Sequence, residues 1–320
     1  MSNLELHADE WLDVVERDYL GTFVREGGAS VKVVVARPEQ VEGFVNSLLA
    51  RGEGLGYVTA HVDESTARVY YMDRLFNAVA RQVPWSELAL DFMKSALRSH
   101  AYKLPEGPLT TQAIAAANGM EASQVYLTCQ QLLAKSVLRE YAMGKDFRLA
   151  MYQLCMAAVA GDDLLKDRAE RINEWLRGEI TSVGTLRLAL IFEKINRYTA
   201  RAILASTAEW VRLVGKAGLL AVVDVSRFAL SKPQAVADGT LVRPPSRAAV
   251  MDTYELMRQC IDGTDEMAGA MIIFVTGYDF VDDERRGMRS YAALEQRLAE
   301  DVRDRSRANP HAPMVRIAVA

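Results

Sequence analysis

The residues of this chain best suited to chemistry are those that grip and neutralise phosphate. Asp224 closes the apolar run LLAVVDV, and a carboxylate at the end of a buried strand is placed to hold magnesium. An apolar strand ending in Asp is just as ordinary a feature of α/β folds. Thr276 ends a second apolar run, IIFVTG, where a hydroxyl reads either as a polar sensor or as a turn residue. Arg303, Arg305 and Arg307 in VRDRSRANP include candidates for an arginine finger, which stabilises the charge on a phosphoryl group in transfer. Asp301 and Asp304 interleave with them, as on a solvated helix end. Lys32 within SVKVVVA, and Arg37 just after it, are the cations nearest to where phosphates would sit.

The backbone that such a site needs is missing. A phosphate loop follows G-x-x-x-x-G-K-[ST], so that N–H groups cradle phosphate, Lys reaches the β/γ-phosphates and Ser/Thr holds magnesium. After SVKVVVA the chain continues Arg37-Pro38-Glu39-Gln40-Val41-Glu42-Gly43, and Glu39 and Glu42 put negative charge at the helix start. The Gly-Lys pairs, Gly144-Lys145 and Gly215-Lys216, are followed by Asp146 and Ala217, and neither follows a strand. The glycine-rich RGEGLG precedes a strand and reads as a helix-to-strand turn. ATP with magnesium is a candidate ligand only through an atypical grip from Lys32 or Arg37, with Asp224 as the candidate metal ligand.

Other chemistries lack their residues. G-x-S-x-G and H-E-x-x-H are absent, and the histidines (7, 61, 100 and 311) are scattered. The acidic run Asp282-Asp283-Glu284 has no accompanying His and reads as a solvated loop. Cys129, Cys155 and Cys260 have no short pair spacing, which leaves neither a disulfide framework nor a zinc site.

The elements that would position these residues alternate. SVKVVVA (30–36) reads as a buried parallel strand, Pro38 opens a helix to Ala50, and GYVTAHV (56–62) is a second strand. A helix from Arg68 to Gln82 follows, with Val69, Met72, Phe76, Val79 and Ala80 on one side. GLLAVVDV, AMIIFVTG and MVRIAV resume the strand pattern after residue 217. The alternation predicts a parallel sheet with covering helices over 1–83 and 216–320. Between them, 84–215 predicts an all-helical insertion, with at most a short wing strand near Val137 to Tyr141. A first helix is expected over residues 9–24.

Within the insertion, LTTQAIAAANGMEASQVYLTCQQLLAKSVLR (109–139) has helix-turn-helix spacing, with Gly119 at the turn and Val125, Cys129, Leu132 and Leu133 on the apolar face. Gln124, Thr128, Lys135 and Arg139 are its candidate DNA contacts. The outward face carries no Lys or Arg before Lys135, so protein contact and DNA reading both stand.

The formal net charge of −4 over 320 residues argues against a basic coat but leaves a local nucleic-acid site open. The acidic, amphipathic start lacks a secretory n- and h-region, and no stretch approaches the roughly 18 apolar residues of a membrane span. A cytoplasmic protein is expected.

Three stretches carry a resemblance: RYTARAILASTAEWVRLVGKAGLLAVVDVSRFAL, TYELMRQCIDGTDEM and DDERRGMRSYAALEQRLAEDVRDRSRANPHAPMVRI, together with KDFRLAMYQLC. They resemble the DUF2791, or BREX ATP-binding, family of bacterial phage-defence systems, strongly after about residue 140. The resemblance implies a P-loop core of AAA+ type with a large helical insertion, working inside a multi-gene defence system, and the spacing of 109–139 adds a winged helix to that insertion. It also implies partner proteins from a defence operon, in homo- or hetero-oligomers. Hydrolysing AAA+ enzymes carry Glu after the Asp of the second strand motif, and this chain has Val225. The reading that follows is an ATPase-like component with an eroded site, regulatory or scaffolding. The alternatives are an ATPase with an atypical nucleotide site and a DNA-binding winged-helix protein.

Overall fold

Strands buried on both faces need a helix layer above and below, and the apolar runs of this chain form such a sheet. The computed structural model describes residues 4–63, 69–180, 182–230, 234–235, 241–299 and 307–318. Six strands run parallel. Across the sheet they are β1 (Leu6–His7), β8 (Met314–Ala318), β2 (Ser30–Val35), β7 (Ala270–Thr276), β4 (Leu219–Asp224) and β3 (Val58–Asp63). β5 (Gln234–Ala235) and β6 (Leu241–Val242) make a separate antiparallel pair. The chain leaves β2 towards the β3 edge and returns through β4 and β7. It then crosses to β8 on the other side of β2. In open parallel sheets ligands lie beyond the strand carboxyl ends at such a reversal.

α2 (Pro38–Gly54) starts just after β2 and buries Val41, Phe44, Val45 and Leu48 against Val34, Val222 and Val275 of the sheet. Gly52 permits this approach, since a Cβ there would stand 2.6 Å from Leu220 Cδ2. The first helix, expected over 9–24, is α-helical only over α1 (Ala8–Val14) and π-helical over Val15–Phe23. α3 (Met72–Ala80) is shorter than expected, with Val69 buried ahead of it.

Two compact units result, residues 1–79 with 217–320 and residues 80–216. Besides α1 to α3, the first holds α10 (Arg247–Asp262), α11 (Asp279–Asp282) and α12 (Ala292–Leu298). The second is built from α4 (Trp85–Ser99), α5 (Thr111–Asn118), α6 (Ala122–Ser136), α7 (Lys145–Ala160), α8 (Asp163–Leu176) and α9 (Ala200–Leu213). A 3-10 turn at Val183–Ala189 lies between α8 and α9. Trp85 meets Phe147 edge-on at 6.1 Å and Phe92 tilts on Trp210 at 5.1 Å, giving this unit a core of its own. Among its described residues there is no strand. Val137–Tyr141, where a wing strand was expected, is turn: the Val137 N–H donates to Leu133 O and buried Val137 caps α6. Gly119 closes α5 in the left-handed region at φ 64°, which glycine adopts without Cβ strain.

Candidate functional site

The junction of β2 and α2 is where phosphate would meet a helix N-terminus. β2 ends at Val35 and α2 starts at Pro38, so Ala36 and Arg37 are the whole connection. Ala36 N–H donates to Thr276 O at 2.9 Å, which keeps the first of the two in the ladder with β7. Pro38 fits the first helical position because its N–H would be orphaned there in any case. Glu39 is exposed in the first turn. The Arg37 N–H reaches Gln40 Oε1 at 3.5 Å.

Beside this junction lies a balanced polar cluster. The Tyr278 hydroxyl donates to Glu5 Oε1 at 2.5 Å, and the Arg316 guanidinium sits 5.5 Å from the Tyr278 ring centroid. Arg316 projects from β8, in register with Val35, and pairs with Asp282 at 3.0 Å. Burial, then the Glu5 carboxylate, pushes the Tyr278 phenol up, while Arg37 pulls it the other way. Arg316 is therefore taken by Asp282, and Arg37 acts on the Tyr278 phenol that Glu5 also holds.

Asp224 ends β4 as the sequence suggests, with Asp63 as its register partner at the end of β3. Two strand-terminal carboxylates thus stand side by side. Asp63 was missed because GYVTAHV was closed at Val62, although it repeats the signal used for Asp224, an apolar strand ending in a carboxylate. Asp224 Oδ1 accepts from Ser226 N–H at 2.8 Å, tying it to the turn after β4. Register partners share a sheet face, so Asp224 faces the α2 side with Val275 and Val34. Thr276, in register with Val35, faces the opposite side. Its hydroxyl is fully buried and has no hydrogen-bond partner among the described residues.

Lys32 sits elsewhere, near the amino end of β2. Its Nζ donates to His311 O at 2.6 Å and Ala312 O at 3.1 Å, and lies 4.7 Å from the Tyr19 ring centroid. A lysine buried mid-strand calls for a carboxylate partner or a place at the sheet edge, and both are the sequence expectation for Lys32. The structure corrects both, because β2 is interior and β8 begins pairing with it only at Val33–Met314. The two carbonyls just before β8 take the ammonium instead. Burial pushes Lys32 down to about 8.

Arg303 and Arg305 lie outside the described residues. The helix that precedes them, α12, is tied to α10 through Arg297 on Asp262, which Arg258 also holds. In the helical unit, Gln124, Lys135 and Arg139 are exposed on or just beyond α6. Thr128 is engaged: its hydroxyl donates to Gln124 O at 3.0 Å and accepts from the Tyr102 hydroxyl at 3.3 Å. Leu127, on the outward face, is 56% exposed. Among the described residues, no group of three or more His, Cys, Asp or Glu could hold a metal ion, and no helix is long and apolar enough to cross a membrane.

A family model described as BREX system ATP-binding protein BrxC/D matches residues 23–319, so the chain belongs to that family. No curated protein and no solved structure matches it.

Proposed function

We propose, with membership of the BREX system ATP-binding protein family as the premise, that this chain is a component of a bacterial phage-defence system that has given up ATP turnover. In this reading it acts as a regulatory or scaffolding partner of other proteins of the system. The carrying observation is the link from β2 to α2. Two residues span at most about 7 Å even when extended, too little to loop around a triphosphate. The helix start adds a proline without an N–H and an exposed Glu39, so both donors and field are unfavourable to phosphate. Calorimetry with ATP and with ADP, each with magnesium, is expected to give no binding. Micromolar binding with turnover that disappears in Asp224→Ala would overturn the proposal.

That outcome defines the second reading, an ATPase with an atypical site, which the side-by-side Asp63 and Asp224 favour. In it, Arg37 grips phosphate, Asp224 holds magnesium, Thr276 senses the phosphate, and Arg303 or Arg305 completes the site in an oligomer. A third reading assigns DNA to α6 through Gln124, Lys135 and Arg139, and the α5–Gly119–α6 turn geometry favours it.

A further inference from the structure

Exposed aromatic rings are costly to leave in water, and single ones are common enough to need no explanation. Here they cluster. Of the four aromatics among the exposed large hydrophobic side chains, three fall in two short windows of the helical unit: Tyr141 at 79%, Phe192 at 60% and Tyr198 at 94%. The windows lead into two helices of the same unit that touch, α7 and α9. Gly144 N–H donates to Ser206 Oγ of α9 at 2.9 Å, which fixes the start of α7 beside the helix that Tyr198 leads into. Glu193 is near enough to Asp146 to help burial push that carboxyl up.

The Tyr141 ring is held, and the backbone beside Phe192 and Tyr198 is held. Tyr141 has one face on the Arg148 guanidinium, 4.9 Å from its centroid, and Arg148 is fixed in turn by donating to Leu138 O at 2.6 Å. Its other face is left to solvent. Tyr198 is set by Asn196, whose Oδ1 accepts the Tyr198 N–H at 2.9 Å. Phe192 stands next to Glu193, whose carbonyl accepts from Trp175 Nε1 at 2.9 Å. Cations outnumber acids in sequence on both sides: residues 187–201 hold four Lys or Arg and one acid, Glu193, and residues 139–148 hold Arg139, Lys145 and Arg148 with Glu140 and Asp146. Among them, Lys194 and Arg197 are exposed, as is Lys145 beside Tyr141.

Flat rings interleaved with cations suit a ligand that offers stacked planes along an anionic thread. We propose that Tyr141, Phe192 and Tyr198, with Lys145, Lys194 and Arg197, form a binding platform for single-stranded nucleic acid. Bases stack on the rings and the phosphates run past the cations. A duplex keeps its base faces hidden and offers the rings nothing, which sets this ligand apart from the duplex reading of α6. The inference does not depend on the nucleotide reading above.

The test uses fluorescence anisotropy with the full chain and labelled oligo-dT, oligo-rU and duplex of about 15 nucleotides. Both single strands are expected to bind more tightly than the duplex, and binding should weaken steeply from about 50 to about 200 mM salt. Preference for oligo-dT or for oligo-rU identifies the natural strand, and either supports the platform. Tyr198→Ala is expected to cost about tenfold or more, while Tyr198→Phe, which keeps the ring, retains binding. Lys194→Glu with Arg197→Glu should weaken binding and flatten its salt dependence. No single-strand binding at low salt, equal binding of duplex, or unchanged affinity in Tyr141→Ala/Phe192→Ala/Tyr198→Ala would each overturn the proposal. All three rings are exposed, so these variants should melt with the parent.

Discussion

Lys32 carries a cost at neutral pH that the fold meets with two backbone carbonyls and the face of Tyr19. Its folded value, about 8, lies below the 10.5 of a lysine in the unfolded chain. Between the two the unfolded chain holds more protons, so stability rises as pH climbs through that window. The contribution is complete above about pH 10.5 and gone below about pH 8. Urea melts of the parent and Lys32→Met are therefore expected to diverge across the window. The parent should gain about 1–3 kcal/mol relative to the variant, and parallel curves would show that Lys32 is not desolvated. The raised phenol of neighbouring Tyr19 is common to both proteins and drops out of the difference. Placing Lys32 on the α2 face was within reach of strand alternation. Its partners were not, because they come from a segment 279 residues away whose position no local pattern encodes.

Among the elements, the α5–α6 turn offers the cleanest test of backbone against packing. A Cβ at Gly119 would meet nothing within 4 Å, so the cost of adding one is purely that of φ 64°. Gly119→Ala should lower stability by about 1 kcal/mol, read as a shift in denaturation midpoint without a change in slope. A neutral result would mean that the turn relaxes to another geometry. Gly119 was legible as a turn because it interrupts two apolar faces at the right spacing. The five longer strands were legible too, each an apolar or β-branched run. The π-helical stretch at Val15–Phe23 was not, since its sequence carries no signal that separates it from an ordinary helix. Nor was the side-by-side placement of Asp63 and Asp224: runs of residues announce strands but not which strand lies next to which.

At the scale of the whole molecule, the helical block 80–216 is continuous in sequence, while the sheet unit is assembled from both flanks of it. The block buries Trp85, Phe92, Phe147 and Trp210 within itself. A fragment of residues 80–216 is expected to show a helical circular dichroism spectrum and one cooperative thermal transition. A featureless melt would mean that its core needs the sheet unit to close.

The sheet imposes a different timetable. β2 is flanked by β7 and β8, and β1 pairs with β8. Neither β1 nor β2 has its neighbours until the ribosome has released residues 270–318 from its tunnel, whereas the block 80–216 is complete long before. Vectorial synthesis therefore leaves an apolar β2 waiting without partners while some two hundred and forty residues are added between Ser30 and Ala270. Until then this run, SVKVVV, is an unpaired apolar strand open to a chaperone.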